Sequence, residues 1–272
     1  MIDTNIIFLP LFGFLIGLLV STLGGGGGGL FVPILTLVFG IPTQVAIATS
    51  LASVLPTTLM GAFSHYRQGN VEIRTGLILG IGGIIGTLLG AYFANMIPSI
   101  LLRKILGIFT LIMLIPMLLS VRKRRKDTDE IIEGNEDNNK DENKINSNRL
   151  TGTKRIIASF FGVASGIMAG VFGISGTPPV IAGLYSLGLP AMLVVGTSVF
   201  VLIFNSVAGI GGYYLLGRLD MTLIILLGGG SAIGAFLGPV LLKKIDSATI
   251  EKIYAPLLVG MMLILGLAMI FA

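Results

Sequence analysis

The chain has 272 residues, 54% of them hydrophobic and 11% charged, with a mean hydropathy of +0.96. An ordinary globular domain carries about a quarter charged residues, so a soluble domain is excluded, and cysteine-based chemistry with it, because the chain has no cysteine. The net charge of +5 suits basic residues at cytoplasmic helix ends, so no nucleic-acid partner is expected.

From the N-terminus, residues 4–64 carry no Asp, Glu, Lys or Arg, and neither do 75–102, 105–121, 156–217, 221–242 and 253–272. A spanning helix needs about 20 apolar residues, so these stretches predict an all-α integral membrane protein. Asp3 is the only early charge and no basic n-region precedes the first span, which is therefore expected to stay in the mature protein. The glycine run and Pro42 divide the first stretch into pieces near 6–23, 30–40 and 42–64. The middle piece, about 11 residues or roughly 16 Å at helical rise, is too short to cross. A re-entrant pair is expected: one helix dips in, breaks at the glycines, and a short helix returns. Full spans follow at 42–64, 75–95 and 99–121.

Residues 122–154 open with Arg122-Lys-Arg-Arg-Lys126 and then turn acidic and rich in Asn. They hold too few apolar residues to offset the entropy of ordering, so they read as a charged, disordered cytoplasmic linker.

Beyond the linker the order recurs at a constant offset of 148. Gly25 and Gly28 fall on Gly173 and Gly176, Gly40-Ile-Pro42 on Gly188-Leu-Pro190, and Thr49-Ser50 on Thr197-Ser198. Gly82, Gly86 and Gly90 fall on Gly230, Gly234 and Gly238. Two membrane repeats are expected, 1–121 and 155–272, with about eight hydrophobic helical elements in all. Three full crossings per copy would make the repeats inverted. Loop charges agree by five to three: with the linker inside, Arg67, Arg74, Lys243, Lys244 and Lys252 fall inside, and Arg103, Lys104 and Arg218 outside.

The glycine run carries the candidate chemistry. Backbone inside a bilayer must be hydrogen-bonded, so a broken helix persists only where it is buried in protein or lines a cavity. Gly25, Gly26, Gly27, Gly28 and Gly29 let a ligand approach bare N–H groups. A helix starting near Leu30 would aim its positive dipole end at the break, a fit for a desolvated anion. In the second copy Ser175, Gly176 and Thr177, followed by Pro178-Pro179, occupy the same register. Thr49 and Ser50, and Thr197 and Ser198, lie about 10 Å into the helices that follow. Their hydroxyls either bond the preceding turn or converge on the breaks as ligands. Asn205 sits deep as ligand or interhelical glue, with Thr57 as its offset partner.

Gly82, Gly86 and Gly90, with their counterparts, read as a smooth packing face. His65, the only histidine, reads as an interfacial anchor. No Asp or Glu lies deep in any predicted span, so no catalytic residue, metal site or cofactor is expected, and intramembrane proteases are excluded.

The glycine-rich break with its later proline (Gly24–Pro33), the paired Gly-x-Pro and Thr-Ser steps, and the duplicated build resemble the TauE/SafE family of sulfite exporters and toluene-sulfonate uptake permeases. The resemblance implies a multi-pass plasma-membrane transporter of small sulfur-containing anions such as sulfite or organosulfonates. The expected partners are such an anion and the lipid bilayer. The sequence leaves open a coupling ion (proton or sodium), a homo-oligomer, a passive anion channel of the same build, and a membrane receptor or scaffold.

Overall fold

The computed structural model describes residues 7–23, 28–132, 152–174, 176–242 and 247–271, and among them ten α-helices and no strand. These are α1 (Leu9–Leu23), α2 (Gly28–Leu37), α3 (Thr43–Arg67), α4 (Ile73–Met96), α5 (Ser99–Ile132), α6 (Gly152–Phe172), α7 (Thr177–Ser186), α8 (Ala191–Leu215), α9 (Met221–Leu242) and α10 (Ser247–Phe271). By length and composition α3, α4 and α8 suffice to cross a membrane. Gly24–Gly27, Ser175, residues 133–151, Lys243 and Lys244 lie outside the described residues.

Gly and Pro punctuate the chain where the sequence predicts. Gly40 takes φ +65, Ile41 follows, and Pro42 caps α3 with φ −52 and ψ 137, an extended geometry that a proline ring favours. Gly188 (φ +81) and Pro190 do the same before α8. The helices α3, α4 and α5 start 148 positions before α8, α9 and α10.

Both ends of the predicted linker differ. Helix α5 runs to Ile132 instead of ending near 121, and α6 already starts at Gly152, so the first third of the linker and its last residues are helical. Extending an existing helix needs no new nucleus, and Arg and Lys are good helix formers.

Helix packing turns on glycine. Along α4, Gly82 meets Ser159 and Val163, Gly86 meets Val163 and Ile167, and Gly90 meets Ile167 and Gly170. The two numberings rise together, so α4 and α6 run parallel with backbones in contact. Helices α1 and α9 do likewise: Gly230 touches Pro10, Gly234 touches Phe14, and Gly17 touches Ser231. This is the close approach that small residues allow in membrane helices. Helices α3 and α8 are antiparallel, since Leu51 lies against Gly209 and Val199 against Gly61. The short α2 is interior: Leu30, Phe31, Val32 and Leu35 are buried in the main apolar cluster.

A methyl group at Gly166 would collide with the carbonyl of Gly83 and the amide of Thr87, whereas at Gly211 it meets nothing within 4 Å. We expect Gly166→Ala to destabilise the protein by about 1–3 kcal/mol. Gly211→Ala, in the interior of α8, should instead stabilise it by about 0.5–1 kcal/mol. Thermal unfolding of the purified protein in detergent checks both signs.

Candidate functional site

Between α6 and α7 the chain breaks inside the protein. Gly173 (φ +68) and Gly176 (φ +74) adopt the left-handed conformation that glycine takes at least cost. A Cβ at Gly173 would lie 2.8 Å from Val32 Cγ2 and 3.1 Å from Ile47 Cα. One at Gly176 would collide with the carbonyl and hydroxyl of Ser165. The break is therefore wedged against α2, α3 and α6. Its backbone is satisfied on both sides of Gly173. The Gly173 N–H donates to the carbonyl of Ala169 at 2.8 Å, and the Ser50 hydroxyl donates to the Gly173 carbonyl at 2.9 Å. Ser50 thus ties α3 to a break more than a hundred residues away.

The two short helices, α7 and α2, differ as donors at their starts. Pro178 and Pro179 have no N–H, and the Gly176 N–H donates to the Ile174 carbonyl. Among these positions only Thr177 keeps an amide to offer a ligand at the start of α7. Helix α2 begins at Gly28, and Gly28, Gly29 and Leu30 all retain their N–H groups. Gly29 is buried close to Met262. Of the two helices, α2 has the more complete N-terminal donor set.

The Thr-Ser steps also differ. Thr49 is fully buried and its hydroxyl has no partner. Its offset counterpart Thr197 accepts a hydrogen bond from the Glu72 N–H at 2.9 Å, tying the N-cap of α4 to α8. Ser50 staples the break, whereas Ser198 bonds its own helix at the Val195 carbonyl, 2.8 Å away. The antiparallel register places Thr49 and Thr197 about fourteen residues apart along the α3–α8 pair, roughly 20 Å at helical rise. The two steps do not meet.

Asn205 is fully buried and its Nδ2 donates to the Ser165 hydroxyl at 2.9 Å. A Cβ at Gly83 would collide with its Oδ1, so α4 presents a glycine where the amide packs. Asn205 therefore joins α8 to α6 beside Gly176. Tyr213, two turns on, donates to the Gly170 carbonyl at 2.6 Å.

Sequence reasoning missed Ser53, Ser165 and Ser206, all fully buried. Neither Ser53 nor Ser206 has a hydrogen-bond partner for its hydroxyl. Comparing the copies hid two of them, because Ser165 aligns with Gly17 and Ser53 with Val201. Four-residue spacing from Thr49 would have found Ser53. Among the described residues no group of three or more His, Asp or Glu could hold a metal ion.

A bundle of apolar helices around a helix break and buried, uncharged hydroxyls is the build of a helical membrane protein that handles a polar solute. Residues 9–269 match the family model of the sulfite exporter TauE/SafE, and the chain belongs to this family of membrane transporters. It is 31% identical to the probable membrane transporter protein YdhB of Bacillus subtilis, over 92% of this chain and 97% of that one. It is 28% identical to YunE of the same organism, over 92% and 93%. A probable membrane transporter protein of Methanocaldococcus jannaschii is 30% identical over 76% and 73%. No solved structure matches it significantly.

Ser50→Ala removes the bond to Gly173 and strands a buried carbonyl, a loss of about 1–3 kcal/mol. Ser198→Ala deletes only a bond within one helix and should stay within about 0.5 kcal/mol of the parent. Paired chemical-denaturation curves in detergent measure the difference.

Proposed function

We propose that the protein is a secondary transporter of a small anion, a sulfur-containing oxyanion such as sulfite or an organosulfonate. The observation that carries this reading is the buried, uncharged set of hydroxyls and amides beside the Gly173–Gly176 break. Thr49, Ser50 and Asn205 are fully buried, and no Asp or Glu lies in α3, α4 or α8. Hydroxyls, helix-start amides and glycine N–H groups can solvate a dehydrated anion without a fixed cation that would hold it too long. The proposed ligand set is the Thr49 hydroxyl, the Thr177 amide and the Asn205 amide group, with the Gly28 and Gly29 amides at the start of α2, while Ser50 and Gly176 hold the break itself.

Transport proceeds by alternating access. The repeats 1–121 and 155–272 are related by inversion, a reading supported by helix starts 148 residues apart and by the antiparallel α3–α8 pair. Glycine contacts lock α4 to α6 and α1 to α9, so each rigid body combines helices from both repeats. The protein sits in the plasma membrane with the linker in the cytoplasm and both chain ends outside.

Purified protein is to be screened by thermal shift against sulfite, thiosulfate, sulfate, taurine and sulfoacetate, and hits carried into proteoliposome counterflow. We expect at least one oxyanion to raise the melting temperature and to show saturable counterflow. Thr49→Val should weaken the shift about tenfold in apparent affinity, as the loss of one buried charge-assisted hydrogen bond implies. Unitary currents in place of counterflow, or no response to any of the five, would overturn the proposal.

A further inference from the structure

Helix α3 carries a polar stripe along one face. Thr49, Ser53 and Thr57 follow at four-residue steps, and Met60, Ser64 and Gln68 continue the same face after a step of three. Residues three and four apart stack along a helix. At the inner end, Thr49 and Ser53 are fully buried and their hydroxyls lack partners. By contrast Thr36, Thr58 and Thr110 donate to carbonyls of their own helices, while Thr87 and Ser206 share the unpartnered state but lie off this stripe. Ser53 Oγ lies 3.5 Å from where a Cβ at Gly228 would stand, and Ser231 reaches the Ser53 carbonyl at 3.4 Å, so α9 faces the stripe with small residues.

At the exposed end of the stripe, Met60, Phe63, Ser64, Arg67 and Gln68 line an open cavity of about 450 Å³. Arg67 is the only charged residue among them. Its guanidinium lies 5.9 Å from the centre of the Phe63 ring, and Gln68 donates to the Ser64 hydroxyl at 3.2 Å. The corresponding face of α8 is closed. Ala208, 148 positions after Met60, is 7% exposed against 61% for Met60, and Gly212 packs against Leu88 and Ala91.

We infer that the α3 stripe is the anion's aqueous route, entered at the Arg67 cavity and ending at the unpartnered hydroxyls of Thr49 and Ser53. Arg67 collects the anion by its charge, and Ser53 contacts it inside. The inference rests on the anion-transport reading for the identity of the passenger but not for the existence of the route. Because the chain has no cysteine, single substitutions report water access with no background labelling.

In proteoliposomes holding Thr57→Cys, Ser64→Cys, Leu59→Cys or Ala208→Cys, the rate of modification by anionic and cationic methanethiosulfonates is measured on protein that stays monodisperse. A thiol reacts as thiolate in water, so Thr57→Cys and Ser64→Cys should react at least about tenfold faster than the outward-facing Leu59→Cys and the closed Ala208→Cys. At Ser64→Cys the anionic reagent should be the faster, and adding Arg67→Gln should erase that preference. Stripe cysteines as slow as Leu59→Cys would overturn the route, even with counterflow intact. Equal rates for the two reagents with Arg67 present would overturn the role of Arg67. Fast labelling without counterflow of any of the five anions would leave the route standing and remove the passenger.

Discussion

The carbonyl of Gly173 needs a hydrogen-bond donor, and the Ser50 hydroxyl supplies it from another part of the chain. Within an apolar bundle an unmet backbone group costs several kcal/mol. An interruption between α6 and α7 is therefore tolerable only where some neighbour meets it. Ser50 does so, and in doing so it fixes how α3 sits against the break. The positive φ of Gly173 and Gly176 and the absence of side chains there let Val32, Ile47 and Ser165 close in around the turn. What is left over on α3 is Thr49 and Ser53, whose hydroxyls the fold does not use.

Glycine determines the rest of the architecture in a different way. Where backbones touch, as between α4 and α6 or α1 and α9, they leave no room for a methyl group and so hold each pair in close contact. The α3–α8 pair crosses between those pairs. Its two faces occupy matching positions at the 148-residue offset but have different surroundings. The face of α8 is covered by α4 and α6, where Asn205 and Tyr213 find partners in Ser165 and Gly170. The face of α3 opens at Met60 and Ser64. The proposed alternating access would draw on such an asymmetry, with one side shut while the other is open.

Much of the fold was legible in residue order. Gly40-Ile-Pro42 and Gly188-Leu-Pro190 marked helix starts to within a residue, because a positive φ followed by a proline ring leaves few alternatives. The four-residue glycine spacing on α4 announced a close contact but not its partner, α6, since nothing local encodes which helix will fill a groove. The end of α5 was misplaced because a charged run can still propagate a helix. The site was less legible. Thr49 and Thr197 are the same residue at matched positions, yet one hydroxyl is unpartnered and the other holds the Glu72 amide. A repeat in sequence predicts backbone, not side-chain partners. Ser165 stands where the first copy has Gly17, so comparing the copies concealed the residue that bonds Asn205.

The central claim is that the interruption at Gly173–Gly176 is an ordered, buried structure held by Ser50. Hydrogen–deuterium exchange of the purified protein, followed on peptides spanning 169–180, tests it without knowledge of any substrate. The Gly173 amide should exchange as slowly as amides in the middle of α3, and Ser50→Ala should accelerate exchange at the break while leaving α8 unchanged. Exchange of the Gly173 amide in the unmodified protein at the rate of an open loop would contradict it.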